Sequence, residues 1–237
     1  MTKKRSGITA LELHKQLEQD EDYKERIRKK NEELKVIWEM RAKAEEPLIK
    51  DILKTGIKIS SVYDFVNTAD SYPEAIPILV NYIKEQKISE PIIKEGVIRA
   101  LTVKEAKGIA NTALLEEYNK IPKGEDFHDH QQRWLIGNVI NKIINENDVD
   151  AVLRIVSDKT NGHSRQMFIR ALGKIKRSEK VENVLIELLS DEEAILDSLF
   201  ALSKLKSGKA VSKIKNLLNS ENLKIRNEAK KFLKIVK

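Results

Sequence analysis

Apolar positions recur along the last third of the chain at alternating spacings of three and four, the signature of one buried helical face. The stripe Val149, Val152, Val156 returns as Val181, Val184, Leu188 and again as Val211, Ile214, Leu218, at offsets of 32 and 30 residues. A second stripe, Ile169, Leu172, Ile175, returns as Leu199, Leu202, Leu205 and as Ala229, Phe232, Ile235, at offsets of 30 and 30. Short polar runs separate the paired stripes: Asp158-Lys159-Thr160-Asn161-Gly162, Ser190-Asp191-Glu192-Glu193 and Asn219-Ser220-Glu221-Asn222. The extra residues of the first copy fall in its turn, where an exposed loop tolerates insertion. Each copy predicts a helical hairpin, and two amphipathic helices cannot bury both apolar faces alone, so successive hairpins must stack.

Looser copies precede these three. Ala75, Ile78, Leu79, Tyr82 and Ile83 mark a first helix, and Ile98, Arg99, Ala100, Leu101 match Ile169, Arg170, Ala171, Leu172. A helix around Ala106, Ile109 and Ala113 pairs with one carrying Ile136, Val139 and Ile143 across a loop over 121–129. Further upstream, Thr9 with Glu12 predicts a capping box that opens a charged helical stretch over 10–44, with a break in 20–22. Its apolar positions are sparse: Leu13, Leu17, Ile27, Leu34, Ile37, Trp38 and Met40. Pro47 predicts the start of a new helix through Leu48, Ile49, Ile52 and Leu53, ended by Gly56. Ser61 with Asp64 and Ser71 with Glu74 predict two more capping boxes, for a short helix over 62–67 and for the first hairpin helix at Tyr72. The expected division is 1–56, a charged N-terminal helical segment; 57–147, irregular hairpins; and 148–237, three regular repeats. The N-terminal segment is expected to cap one end of the stack through Ile37, Trp38 and Met40.

The segment Leu188-Leu189-Ser190-Asp191 and the run Ile225-Arg226-Asn227-Glu228-Ala229 followed by Phe232-Leu233 resemble HEAT-like repeats of the phycobilin-lyase type, two-helix units that end in an Arg-x-x-Ala-x-x-x-Leu pattern. The resemblance covers about residues 73–237. The run Ser61-Val62-Tyr63-Asp64-Phe65-Val66-Asn67-Thr68 resembles bacterial HEAT-repeat proteins of unassigned activity. The family implies an all-α fold, an α-solenoid of about four or five stacked helical hairpins forming a HEAT-like superhelix. It implies no particular activity, because such repeats serve many functions. Gln166 and Leu196 depart from the pattern, standing where Arg226 predicts an arginine.

Composition supports helices over sheet: only 9 glycines and 5 prolines in 237 residues, with 41% hydrophobic side chains against 34% charged. Such a chain has enough apolar surface for a core. There is no cysteine, which removes disulfides, thiolate metal sites and a cysteine nucleophile. No run of apolar residues is long enough for a membrane span or a signal peptide, so no membrane partner and a cytoplasmic location are expected. Residues 1–56 carry 14 basic and 12 acidic side chains, residues 57–147 carry 11 and 13, and residues 148–237 carry 19 and 12. The net excess of +7 therefore belongs to the last third, the place for an acidic partner.

The residues offer little catalytic chemistry. Asp126-Phe127-His128-Asp129-His130 gathers imidazoles and carboxylates, but His14 and His163 are remote, so Asp129 with Gln132 is read as a helix cap and no metal is expected. Ser157, Ser164, Ser203 and Ser207 sit in no nucleophile elbow, and Gly162, Gly173 and Gly208 form no phosphate loop. Glu116 beside Glu117, and Glu192 beside Glu193, are adjacent in sequence and do not face one another on a helix. No catalytic residue and no cofactor are expected.

What recurs is lysine. Lys174, Lys204 and Lys234 hold the same position in three repeats, with Lys176 and Lys206 beside them; Arg177, Lys180, Lys209, Lys213 and Lys215 crowd the same turns. These five leading lysines are the candidate binding residues. The first functional expectation is a non-enzymatic macromolecule-binding adaptor or regulator with a protein partner. The second is a nucleic-acid-binding protein using the basic C-terminal edge, with an acidic protein as the other occupant of that edge. The third is a HEAT-like DNA-repair or lyase-type enzyme. Only 5% aromatic residues weigh against base handling.

Overall fold

The structure is a computed structural model and describes residues 8–66, 68–124 and 126–236. Among the described residues it is all-helical, without strands. No helix is long and apolar enough to cross a membrane. The chain falls into two compact units, Met1–Glu46 and Pro47–Lys237.

The first unit holds α1 (Ala10–Leu17) and most of α2 (Glu21–Leu53). The Thr9–Glu12 capping box is present, with the Thr9 amide donating to Glu12 Oε2 at 2.9 Å. The break expected in 20–22 is there: Asp20 accepts the Tyr23 amide at 3.1 Å and restarts the helix. The expected new helix at Pro47 is not found, since α2 runs through Pro47 without interruption. Proline inside a helix forfeits one backbone hydrogen bond. The segment beyond it stays helical because Leu48 and Ile52 are buried in the core of the second unit. Gly56 follows α2 at φ 88°, a left-handed conformation that favours glycine. Ile37, Trp38 and Met40 of this unit are 41%, 69% and 65% exposed.

The second unit continues through a 3-10 turn at Val62–Phe65, capped by Ser61 and Asp64 as expected. Asn67, the end of the expected 62–67 helix, lies outside the described residues. Then come α3 (Ile76–Lys84), α4 (Pro91–Ala100), α5 (Asn111–Lys120), α6 (Phe127–Ile143), α7 (Val149–Ser157), α8 (Gln166–Leu172), α9 (Glu179–Glu187), α10 (Ile195–Leu205), α11 (Val211–Asn216) and α12 (Leu223–Ile235). The even-numbered helices pack in order, α4 on α6, α6 on α8, α8 on α10 and α10 on α12, while α3 packs on α5 and α7 on α9. One buried cluster runs from Leu48 to Phe232.

The repeat register holds at its centre and loosens at its end. Leu172, Leu202 and Phe232 are fully buried, as are Ile169, Leu199 and Ala229. Ile235 is 46% exposed because no helix follows α12 among the described residues to cover it. Gly173 marks the tightest approach: a Cβ there would lie 2.8 Å from Ala201 Cα, so α8 and α10 meet through backbone.

Two helix starts differ from expectation. Ser71 donates to Glu105 at 3.2 Å and does not cap; α3 begins at Ile76, and Tyr72 is buried before it with its hydroxyl on the Ala100 carbonyl at 2.8 Å. Burying that ring outweighs a local capping box, and burial pushes the Tyr72 phenol up to about 12. Ile109 is 48% exposed, because α5 begins only at Asn111.

Candidate functional site

Arginine, tyrosine and asparagine side chains join successive hairpins through the interior. Arg133 of α6 is 2% exposed and donates to the Ile121 carbonyl at 3.1 Å, to the Tyr118 hydroxyl at 2.8 Å and to Asn161 Oδ1 in the next hairpin's turn. The Arg133 guanidinium also lies 4.2 Å from the Tyr118 ring centre. One repeat on, Arg165 reaches into the following turn, pairing with Asp191 at 2.9 Å and Glu193 at 3.2 Å. The Arg165 guanidinium holds the Asp191 carboxyl below its usual range. Arg165 is the N-cap residue of α8, one position before Gln166 where the repeat pattern placed its arginine, whereas Arg133 lies within α6. The sequence reading missed both; their signal was the recurrence of arginine one repeat apart.

The lysines divide into two sets. Those at the starts of first helices reach back one repeat: Lys180 pairs with Asp150 and Lys209 with Glu179, both at 2.5 Å. Lys213 donates to the Ile186 carbonyl at 2.8 Å. Lys180, Lys209 and Lys213, expected to join the basic edge, are thus engaged with the preceding hairpin.

The lysines of the second helices are not neutralised in this way. Lys174, following α8, is exposed and places its ammonium on the Asn141 carbonyl of α6. Its pKa is lowered, by burial first and then by the charges of Lys204, Lys142 and Lys107. Lys107 and Lys174 line one groove. Lys204 lies on α10, its Nζ 4.8 Å from the Phe200 ring centre. Lys234, on α12, lines a groove with Arg170, Leu196, Phe200, Asn227 and Lys231. Two acids on this face are already paired, Asp197 with Arg170 and Glu228 with Lys231. Among the described residues Lys204, Lys224, Lys230 and Lys234 make no ion pair.

Of the five candidate lysines, Lys204 and Lys234 lie on the second helices α10 and α12, and Lys174 lies just beyond the end of α8. Lys176 lines a neighbouring groove with Lys107, Lys174, Asn145 and Asn147. Lys206 serves the backbone: it ends α10 at φ 54°, its amide on the Ser203 carbonyl at 3.2 Å. Nothing places its side chain with the others.

The histidine-rich run has a structural use. Asp126, not Asp129, caps α6, accepting the amides of His128 at 2.8 Å and Asp129 at 3.1 Å. Helix α6 therefore begins before the histidines instead of after them. Among the described residues no three metal-ligating side chains gather. No family model, no curated protein and no solved structure matches the chain.

Proposed function

We propose that this chain is a non-enzymatic macromolecule-binding protein, an α-solenoid of HEAT-like hairpins, whose second-helix face from α8 to α12 holds the phosphate backbone of a nucleic acid. The carrying observation is the unneutralised cation row. Lys204 and Lys234 have no carboxylate partner, Lys174 has only a carbonyl, and the acids beside them are already paired. Lys180 and Lys209, at the starts of first helices, are by contrast neutralised by acids one repeat away. A polyanion supplies the missing counter-charge.

Each second helix stacks on the next, so lysines at one register position, in or just after those helices, would repeat along the stack as the charges of a phosphate chain do. The test is fluorescence anisotropy of a labelled oligonucleotide at three salt concentrations. Wild type should bind with a steep salt dependence. Lys174→Gln/Lys204→Gln/Lys234→Gln should flatten the log-log slope by about 2 to 3 units, following roughly 0.9 units per phosphate contact. No binding even at low salt would overturn the reading.

A protein partner is the second reading, and one observation favours it: Ile37, Trp38 and Met40 stand exposed on α2. If that reading is right, Trp38→Ser should abolish partner capture and leave nucleic-acid binding unchanged.

A further inference from the structure

Two large aromatic side chains stand exposed on second helices of this stack, one of them, Phe200, beside the cations Arg170 and Lys204. Trp134 on α6 is 44% exposed and Phe200 on α10 is 36% exposed. On α6, Trp134, Asn138 and Asn141 recur at four and three residues, one stripe of the helix, and the Asn141 carbonyl takes the Lys174 ammonium. On the far side of α8, Arg170 lies with its guanidinium carbon 4.9 Å from the Phe200 ring centre. Phe200 and Arg170 line one groove with Lys231 and Lys234, and α6, which carries Trp134, packs on α8 as α8 packs on α10.

We infer that this face binds single-stranded nucleic acid in preference to duplex, with Trp134 and Phe200 as stacking platforms for two bases and the lysines between them on the phosphates. The inference rests on the nucleic-acid reading above and sharpens it. Packed helices lie about 8–10 Å apart, which puts α6 and α10 about 20 Å apart across α8. A strand at the stacked spacing of about 3.4 Å covers that in roughly six nucleotides. A duplex turns its base faces inward and can offer an exposed ring only sugar and phosphate. A single strand offers the π-face of every base, whatever the sequence. Exposed indole and phenyl rings cost solubility on a surface made otherwise of lysine and asparagine, and base stacking is the contact that uses both kinds of group at once.

The experiment titrates the full chain into a labelled oligothymidylate and a labelled mixed-sequence duplex of equal length, each at three salt concentrations. Wild type should prefer the single strand. Trp134→Ala and Phe200→Ala should each weaken single-strand binding by at least about fivefold and leave duplex binding within about twofold. Trp134→Phe and Phe200→Trp should restore it, which a merely structural role for these side chains would not require. With Trp38→Phe leaving Trp134 as the sole tryptophan, its fluorescence should be quenched by the oligothymidylate. Equal binding of both probes, untouched by the aromatic substitutions, overturns the stacking inference and leaves the phosphate-binding reading standing. Failure of both probes to bind overturns both, and saturable binding of polyglutamate in that case assigns the face to an acidic protein.

Discussion

The lysines at the starts of the first helices and the lysines of the second helices come from the same repeat, yet they have opposite fates. The first set closes ion pairs across the repeat boundary, Lys180 to Asp150 and Lys209 to Glu179. The second set finds no acid: Lys204 and Lys234 make no ion pair among the described residues, and the Lys174 pKa is lowered by burial first and then by Lys204, Lys142 and Lys107. Stability alone does not explain like charges gathered on one face, since separating them would lower the energy of the folded protein. The contrast teaches that in a repeat protein the position of a charge matters less than what the neighbouring repeat places opposite it.

The largest effect expected from breaking this contrast lies beneath the surface. Arg165 joins two hairpins with its side chain 2% exposed, so Arg165→Ala leaves Asp191 with its desolvation and without its cation. Chemical denaturation should show a loss of about 3 kcal/mol. Nucleic-acid affinity at temperatures where the variant stays folded should be unchanged, because Arg165 belongs to the interior and not to the cation row. On the second-helix face the balance reverses. The triple Lys→Gln variant at 174, 204 and 234 should lose affinity and salt dependence while melting at or slightly above the wild-type temperature.

The all-helical class and the burial register of the second helices were legible in the sequence because burial of one helical face imposes a periodicity that single residues report. Leu172, Leu202 and Phe232 could be placed without a structure. Helix boundaries were less legible where a distant partner decides them. Tyr72 ends up buried on the Ala100 carbonyl, and Leu48 and Ile52 carry α2 past Pro47; neither contact is local. The candidate site was half legible. The lysine column followed from the period, but which lysines keep a free charge depends on acids one repeat away. Nor can composition reveal that Trp134 and Phe200 stand exposed.

A smaller effect is expected from the engaged lysines. Lys180→Gln/Lys209→Gln removes as much formal charge from the same repeats as two of the second-helix substitutions do. If the row is a site and not merely a basic field, this variant should change oligonucleotide affinity by less than about threefold, because exposed pairs contribute little and their net charge was already near zero. An effect equal to that of the triple variant would mean the partner reads net charge alone.

The acid limb of stability reports on a further ion pair between neighbouring hairpins, Lys123 with Asp158. Asp158 accepts from the Lys123 ammonium and from Thr160, which brings its carboxyl down to about 2. A carboxylate with a depressed folded-state pKa contributes stability that is fully present above its unfolded value, near 4, and lost as the pH falls through about 2. Asp158→Asn removes that contribution. Its melting temperature should therefore fall less steeply than wild type between about pH 4 and pH 2, a modest difference because the pair is exposed to solvent. Parallel curves would show that the pair does not form in solution.

The smallest and most diagnostic effect concerns the alkaline limb and Lys174. Burial, together with Lys204, Lys142 and Lys107, lowers its pKa in the folded chain. In the unfolded chain, freed of those neighbours, the ammonium returns to about 10.4. The folded state therefore holds its proton less tightly. At neutral pH the charged lysine works slightly against folding, and that penalty is relieved as the pH rises through the folded-state value towards the unfolded one. Lys174→Gln removes the repulsion together with the hydrogen bond to Asn141, so its melting temperature should match or slightly exceed wild type at neutral pH, with the margin shrinking at alkaline pH. Bound phosphate must reverse the sign of the shift. An anion beside Lys174 stabilises the ammonium against its three cationic neighbours, so an NMR titration of the Lys174 Cε resonance should move to higher pH when a saturating oligonucleotide is present. A resonance that titrates at the same pH with and without the oligonucleotide would place the bound phosphates elsewhere, and the contrast between the two sets of lysines would then have no bearing on binding.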